Sequence, residues 1–128
     1  MGLLAREIER KGVTTVGLAL VRDVAVAARA PRFLSLHWPF GHALGEPGKV
    51  AQQRTVLHDM LVLARDAPRP GLVVDLPYRW RRESYTEIAD WNTPSAALAD
   101  ALAAALEDGS ADRSRNPHDG NGTLTHSQ

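Results

Sequence analysis

The stretch from Arg32 to Gly48 constrains the fold most, because its composition changes abruptly from that of a strand to that of a loop. Residues 32–38 (RFLSLHW) are mostly apolar, whereas residues 39–48 (PFGHALGEPG) hold two prolines and three glycines. A helical pattern begins directly afterwards, at Lys49. In open α/β sheets, ligands bind where strands pass into loops, outside the carboxyl ends of the strands. The stretch therefore predicts an α/β fold with a binding site in its loop.

The segments before this stretch predict a right-handed βαβ unit. The run from Val13 to Leu20 is aliphatic and β-branched without alternation, which is typical of a central parallel strand buried on both faces. Residues 21–30 have helical composition, with Asp23 in the first turn and Arg29 in the last, and Pro31 ends the helix. Residues 32–38 then form the second strand.

The first residues predict a helix from Met1 to Lys11, with Gly12 at its C-terminal cap. No Ser, Thr, Asp or Asn precedes Leu3 to cap its beginning. This favours a helix whose upstream neighbour is missing, and a free end that frays is the alternative.

The segments after the loop predict two more helices and one short strand. Val50, Arg54, Leu57, Leu61 and Ala64 are spaced as on an amphipathic helix, which the prolines at positions 68 and 70 end. A possible third strand covers residues 72–74. Thr93 is able to cap an alanine-rich helix over residues 96–106 that ends near Gly109, with Pro94 at its first position.

The expected fold is therefore α/β, a small three-layer fragment with a short parallel sheet of two or three strands flanked by helices. Residues 1–91 form the α/β core, residues 92–109 the C-terminal helix, and residues 110–128 a disordered tail. The tail is polar and contains Leu124 as its single leucine, so it buries too little surface to offset its ordering entropy.

Composition excludes several classes of function. The 128 residues include 15 basic and 15 acidic side chains, so no overall field favours nucleic acid or an anionic membrane. No apolar run approaches the length of a membrane span, and we expect a cytoplasmic protein. Cysteine is absent, which excludes disulfides, thiolate metal sites and any thiol nucleophile from this chain. No nucleotide-binding or hydrolase motif occurs, and we expect no cofactor.

The loop at residues 39–48 supplies the candidate binding residues. His42 lies between Gly41 and Gly45, so the backbone can approach a ligand closely, just before the amino end of the helix that starts near Lys49. We expect His42, Gly41, Gly45 and Glu46 to bind a carboxylate or phosphate. The alternative is that His42 only bonds a loop carbonyl.

The other histidines have structural interpretations. His37 lies within a strand and is expected to be a satisfied core residue, whereas His58 is expected to face solvent in mid-helix. His118 and His126 belong to the tail. No pair has a zinc-ligand spacing supported by a third ligand, so no metal site is predicted.

The stretch from Tyr78 to Tyr85 (YRWRRESY) combines cations with aromatic rings and allows three interpretations. It forms a solvated face with Trp80 or Tyr85 packed back on the core, an interface arm rich in hot-spot residue types, or a nucleic-acid patch. The balanced charge of the chain disfavours the last of these.

Two blocks of the sequence carry a resemblance to a known family. Residues 4–16 read LAREIERKGVTTV, and residues 42–47 read HALGEP, with a predicted strand between them. This resembles the C-terminal part of the selenoprotein B family, which comprises component B of the glycine, sarcosine and betaine reductases and related D-proline reductase chains. The family pattern is a helix reading roughly K/R-E-I-E-x-x-G-I-P-x-V and a loop H-P-x-G-x-P. The resemblance covers residues 3–66, and Ala43 departs from it where the family has proline.

The resemblance implies an oxidoreductase that cleaves a carbon–nitrogen bond reductively, with a selenolate or thiolate as nucleophile and a dithiol protein as electron donor. In the family, the redox selenocysteine or cysteine comes just before the helix that begins here at Met1. This chain has no cysteine, so it contributes no catalytic residue and is expected to be inactive alone. The resemblance implies an N-terminal reductase half or a homo-oligomer as partner, and a small carboxylate or amino acid as ligand.

Three interpretations stay open from the sequence. The chain is a truncated or split fragment of a selenoprotein B-like reductase, a non-catalytic α/β binding or assembly subunit of the same ancestry, or an unrelated α/β protein with an anion-binding loop. Because two or three strands cannot cover an apolar edge at residues 13–20, we expect either a homodimer or a complex with an N-terminal partner chain.

Overall fold

The computed structural model describes residues 2–81 and 84–115, which contain four helices and three strands. The helices are α1 Gly2–Arg10, α2 Arg22–Ala27, α3 Val50–Asp66 and α4 Ala96–Arg115, and the strands are β1 Gly17–Ala19, β2 Arg32–Ser35 and β3 Leu72–Asp75. The strands form one parallel sheet in the order β1-β2-β3. This confirms the predicted α/β class with a short parallel sheet flanked by helices.

The central strand of the sheet is β2. Leu34 pairs in register with Leu18 on one side and with Val74 on the other, and every residue of β2 is buried. The prediction of a central strand over residues 13–20 is therefore wrong, because β1 forms an edge. The backbone N–H of Thr15 donates to the carboxylate of Glu9 at 2.7 Å, so this part of the run is held by a side chain and the ladder begins later.

The two faces of the sheet carry separate cores, because neighbouring strand residues point to opposite sides. The main core, between the sheet and α3 and α4, contains Leu34, Leu36, Trp38, Val56, Val62, Leu63, Leu72, Val74, Leu76 and Leu98. On the opposite face, Phe33 packs with three buried alanines at positions 19, 25 and 30. A Cβ on Gly17 would lie 2.6 Å from the Phe33 ring, so only glycine fits there. Helices on both faces make three layers.

A partly buried ion pair attaches α1 to the central strand. The carboxylate of Glu9 accepts hydrogen bonds from Nη1 of Arg32 and from the N–H and hydroxyl of Thr15. Arg32 is 9% exposed. Burial alone would raise the pKa of Glu9, but the hydrogen bonds from Thr15 and Arg32 and the charge of Arg32 outweigh it and hold that pKa below its ordinary value. Glu9 is therefore ionised opposite Arg32 at neutral pH.

Two helices are followed by a residue with left-handed backbone. Gly12, with φ of 86°, follows α1 and confirms the predicted cap. Arg29, with φ of 51°, follows α2, and the N–H of Ala30 reaches back to the carbonyl of Ala25 at 3.2 Å. The helix predicted over residues 21–30 is thus shorter, and Arg29 lies outside its last turn. A left-handed conformation costs a non-glycine residue about 1 kcal/mol, so Arg29 replaces the glycine usual at this position.

Helix α3 follows the prediction in position but not in orientation. Val50, Leu57 and Leu61, part of the stripe that predicts the helix, are 51%, 42% and 53% exposed. The side that faces the protein carries four buried polar residues, Gln52, Thr55, His58 and Asp59. The prediction that His58 faces solvent is therefore wrong, since the residue is 1% exposed. The reason is that polar groups of Tyr78, Trp80 and Ser95 cover this side of α3.

The start of α4 is capped by a different residue from the one predicted. The hydroxyl of Ser95 accepts a hydrogen bond from the N–H of Leu98 at 3.1 Å, which is the geometry of an N-terminal cap. Thr93, the predicted cap, donates its hydroxyl to the carboxylate of Asp90.

The helix does not end near Gly109 but continues to Arg115. A single glycine within a helix costs only about 1 kcal/mol relative to alanine, which is too little to stop it. The first part of the predicted tail is therefore helical, and its remainder, residues 116–128, lies outside the described residues. Among the described residues, no helix combines the length and the apolar character needed to cross a membrane.

Candidate functional site

The loop between β2 and α3 is a series of tight turns. The N–H of His42 donates to the carbonyl of Pro39 at 3.3 Å, and the N–H of Gly45 donates to the carbonyl of His42 at 3.0 Å. Gly41, Gly45 and Gly48 all have positive φ, of 87°, 120° and 78°, which glycine adopts without strain. The turns bring the loop back over the first turn of α3.

Gln52, on the buried side of α3, joins this loop to the chain that follows β3. Its Oε1 accepts the N–H of Glu46 at 2.8 Å, and its Nε2 donates to the carbonyl of Trp80 at 3.3 Å. Gln53 adds a bond from its Nε2 to the carbonyl of Glu46 at 2.8 Å. A Cβ on Gly45 would lie 3.1 Å from Oε1 of Gln52, so the loop approaches this amide closely. One buried amide thus fixes the separation of two chain segments.

A cleft of about 590 Å³ opens between these two segments, and we name it the carboxyl-end cleft because both segments follow the carboxyl ends of strands. Its lining residues are Glu46, Gly48, Lys49, Val50, Ala51, Gln52, Trp80, Arg81, Ser84 and Tyr85. Charges of both signs meet there, with one carboxylate from Glu46 and two cations from Lys49 and Arg81. The first turn of α3 adds backbone N–H groups that the helix itself leaves without acceptors.

The predicted site residues occupy different places around this cleft. Glu46 lines it. The ring of His42 packs against the ring of Trp80, with centroids 5.1 Å apart, so His42 supports the wall. Gly41 and Gly45 shape the turns of the loop. The predictions that these four residues bind ligand stay predictions.

His37 lies apart from the cleft. The predicted strand over residues 32–38 ends at Ser35, and His37 is exposed, so its assignment to the core is wrong. It lies in a shallow hollow with Asp75 and Arg79, and Arg22 binds Asp75 at 2.9 Å. The strand therefore ends earlier than its apolar composition predicts. Beyond Ser35, the side chain of Trp38 is buried in the main core, whereas that of His37 is exposed.

The segment from Tyr78 to Tyr85 packs back on the main core through three aromatic residues, Tyr78, Trp80 and Tyr85, as one of the sequence interpretations predicts. Nε1 of Trp38 donates to the carbonyl of Tyr78 at 3.1 Å, and the hydroxyl of Tyr85 donates to the carbonyl of Arg79 at 2.7 Å. The backbone carbonyls of Tyr78 and Arg79 are therefore both held, which positions the Trp80 and Arg81 side of the cleft.

A buried polar cluster around Asp59 anchors the same segment from below. The carboxylate of Asp59, fully buried, accepts from the hydroxyl of Tyr78 at 2.6 Å, from the hydroxyl of Ser95 at 2.9 Å and from Nδ1 of His58 at 3.1 Å. The ring of His58 makes an edge contact with Trp91, with centroids 5.7 Å apart. Three donors satisfy a carboxylate that has no Lys or Arg partner among the described residues.

Sequence reasoning missed Gln52 and Asp59, although one signal was present. Gln52, Thr55 and Asp59 follow helical spacing on one side of α3, which marks a continuous polar stripe. From sequence alone, the stripe is equally consistent with a solvated face. The hydroxyls of Tyr78 and Ser95 and the carbonyl of Trp80 show that it is buried.

The charged side chains of the cleft can bind ligands of either sign. Lys49 and Arg81 can hold a carboxylate, and Glu46 can hold an ammonium group. The sequence contains no cysteine, so the chain supplies no thiolate. Among the residues that the structure describes, no three His, Asp or Glu side chains are grouped closely enough to hold a metal ion.

Comparison with known proteins finds a similarity to a reductase subunit. The chain is 30% identical over 78 residues to the D-proline reductase subunit gamma of Acetoanaerobium sticklandii. The match covers 61% of this chain and 32% of that protein, so the chain spans about a third of the length of the curated relative it matches. The similarity supports a distant relationship. No protein-family profile and no solved structure matches the chain.

Proposed function

We propose that this chain is a reductase-related subunit that binds a small amino acid in the carboxyl-end cleft and leaves the redox chemistry to a partner. The observation that carries the proposal is that Glu46, Lys49 and Arg81 line one cleft. An amino acid is a zwitterion, so a site for it needs an anion and a cation within reach of its two charged groups. The distant similarity to a D-proline reductase subunit supports D-proline as the first ligand to test.

The division of labour follows from the chemistry of reductive carbon–nitrogen cleavage. A thiolate or selenolate attacks the substrate carbon, the carbon–nitrogen bond breaks and the nitrogen takes up a proton. A dithiol then reduces the resulting thioether or selenoether to a C–H group, releases the nucleophile and becomes a disulfide. No neutral side chain supplies such a nucleophile. The chain has no cysteine. The nucleophile therefore comes from another polypeptide, and this chain holds the substrate. That polypeptide is an N-terminal reductase half, bound either to this chain or to a second copy of it.

Exposed apolar side chains support such a partner. Leu57 and Leu61 form a stripe on the outer side of α3, and Leu3, Leu4 and Phe40 are 69%, 55% and 79% exposed. Contiguous exposed apolar side chains, such as the Leu57 and Leu61 pair, mark interaction surfaces more often than scattered ones do. The relative is itself named as a subunit, so its name also fits assembly with other chains.

The experiment is calorimetric titration of the purified chain with D-proline, glycine, betaine and propionate. D-proline and glycine have both an N–H donor for Glu46 and a carboxylate for the cations, so they should bind more tightly than betaine or propionate. Glu46→Gln and Lys49→Gln should each weaken D-proline binding by about 1.5 kcal/mol, the size of a charge-assisted hydrogen bond.

Arg54→Gln is the matched control, because Arg54 pairs with Glu87 outside the cleft, at 3.4 Å. The affinity of the Arg54→Gln variant for D-proline should equal that of the original chain. Equal affinities for propionate and D-proline, or an unchanged affinity in both cleft variants, would contradict the proposal. With dithiothreitol present, the chain alone should release no 5-aminovalerate from D-proline.

A further inference from the structure

A second cleft, which we name the amino-end cleft, lies at the opposite end of the sheet. It has a volume of about 460 Å³ and is lined by Arg6, Glu9, Arg10, Arg29, Pro31, Pro70 and Gly71. Arg6 and Arg10 come from α1, Arg29 follows α2, and the remaining backbone leads into β2 and β3. Backbone hydrogen bonds from Gly71 and Leu72 to the carbonyl of Pro31, at 2.7 and 3.1 Å, fix its floor.

The charge of this cleft is positive and uncompensated. Its single carboxylate, Glu9, is already bound to Arg32 and Thr15. Arg10 pairs with Glu7 at 3.0 Å, in a pair whose side chains are 78% and 58% exposed. Arg6 and Arg29 make no ion pair and no side-chain hydrogen bond with any residue that the structure describes. At least two guanidinium groups are therefore available to an anion.

Two features of the sequence work against the fold at this cleft. Arg6 and Arg10 are four residues apart on α1, the spacing at which like charges repel on a helix. Arg29 occupies a left-handed position, with φ of 51°, where glycine is the usual residue. Strain of this kind is an observation from which a function is inferred. The chain has an arginine at this position, although glycine would adopt the same turn without strain.

The buried neighbour Arg32 neutralises the carboxylate of this cleft. Its Nη1 binds Glu9, which lines the cleft, and its Nε is buried without a hydrogen-bond partner among the described residues. The Arg32–Glu9 pair therefore carries no net charge. An anion in the cleft faces the guanidinium groups of Arg6 and Arg29, and that of Arg10 beside Glu7.

We propose that the amino-end cleft binds the phosphoryl group of a small phosphate monoester. Guanidinium forks match the oxygens of phosphate, and a dianion makes use of several cations at once. No free carboxylate remains to receive an ammonium group, which distinguishes this cleft from the carboxyl-end cleft. The volume exceeds what a phosphate ion fills, and Pro31 and Pro70 offer apolar surface to the organic part of the ligand.

The test is titration of the purified chain, followed by two-dimensional amide NMR, with phenyl phosphate and inorganic phosphate as probes at constant ionic strength. Phenyl phosphate should bind more tightly than inorganic phosphate and should shift the amides around residues 29–31 and 70–72. Arg29→Gly removes the guanidinium and suits the left-handed backbone, so this variant keeps the fold. It should weaken phenyl phosphate binding about tenfold, the effect of one charge-assisted bond.

Arg6→Gln should weaken the binding by a similar factor, and Arg54→Gln, outside both clefts, is the control that should leave it unchanged. Equal affinities for the original chain and Arg29→Gly would overturn the proposal. So would shifts confined to the residues around Lys49 and Arg81, since they would place the anion in the other cleft. Displacement of phenyl phosphate by sodium chloride as effective as displacement by sodium phosphate at equal ionic strength would also overturn it.

Discussion

The two ends of the sheet are held together in different ways. At the carboxyl end, neutral hydrogen bonds from Gln52 and a buried carboxylate, Asp59, join several chain segments. At the amino end, one ion pair between Glu9 and Arg32 joins α1 to β2. At both ends of this three-strand sheet, polar contacts join segments that the apolar core does not join. The contacts are mainly neutral hydrogen bonds and one carboxylate at the carboxyl end, and one ion pair at the amino end. Their geometry also decides which charges remain free for ligands.

The largest expected effect comes from Asp59, which three donors share. Asp59→Ala leaves the hydroxyls of Tyr78 and Ser95 and the ring nitrogen of His58 without an acceptor, so we expect a loss of about 4 kcal/mol in the free energy of unfolding. Urea denaturation measures it. Asp59→Asn keeps one acceptor oxygen and should lose about half as much. A loss below 1 kcal/mol for the alanine variant would show that water accepts the hydrogen bonds that Asp59 accepts in the original chain.

The ion pair at the amino end should come next. Glu9→Gln leaves the charge of Arg32 buried without a partner, at an expected cost of about 3 kcal/mol. Glu7→Gln is the matched control, because Glu7 pairs with Arg10 at the exposed surface, where such pairs contribute less than about 1 kcal/mol. Thermal and urea unfolding of the two variants should differ clearly. Equal losses would mean that the Glu9 pair is solvated in solution.

The same carboxylate predicts a dependence of stability on pH. The pKa of Glu9 is lowered in the folded chain, so its contribution is complete above the unfolded pKa of about 4.3 and is lost as the pH falls through the lower folded value. Glu9→Gln should therefore flatten the acid side of the stability curve below about pH 4.5. Asp66 and Asp90, whose pKa values are also lowered, remain in both proteins. Parallel acid limbs would contradict the assignment.

Gln52 should matter less for stability than for the shape of the cleft. Gln52→Ala breaks its bonds to Glu46 and Trp80 and should cost about 2 kcal/mol. Gln53→Ala, which removes only a bond to the carbonyl of Glu46, should cost about 1 kcal/mol. The sharper measurement is ligand affinity, which should fall further in the Gln52 variant because both walls are released. Equal affinities would show that the walls are positioned independently.

The smallest expected effect has the opposite sign. Arg29→Gly places glycine at a left-handed position, so the free energy of unfolding should rise by about 0.5 to 1 kcal/mol, less the entropy that glycine adds to the unfolded chain. Arg29→Ala keeps the strain and removes the charge, and it should not stabilise. If both variants behave alike, relief of backbone strain does not explain the gain.

Much of the fold was predictable from local composition. The four helices, the strand over residues 72–74 and the cap at Gly12 follow from helical spacing, β-branched runs and single glycine or proline residues. The sheet order was not predictable in the same way, because residues 13–20 read as a strand whether they lie at the centre or at an edge. What shortens β1 is the bond from Thr15 to the side chain of Glu9, a contact with no periodic signature.

The candidate site was predictable only as a loop. The glycines and prolines of residues 39–48 mark where the chain turns, and Glu46 lies on the resulting cleft. Lys49, Arg81 and Trp80 reach the same cleft through the packing of two segments that are far apart in sequence. His37 and His58 exchanged their expected environments, since burial of a polar residue depends on the partner that covers it, as Asp59 and Trp91 cover His58.

The sequential order of the strands has a consequence for how the chain folds. Leu18 and Leu34, paired between β1 and β2, are roughly 16 residues apart, whereas Leu34 and Val74, paired between β2 and β3, are roughly 40 apart. Closing the longer loop costs about 0.8 kcal/mol more chain entropy. The first two strands and α2 therefore form the segment that can associate soonest. The docking of β3 and α4, which completes the main core and builds the wall of the carboxyl-end cleft, belongs to the end of folding.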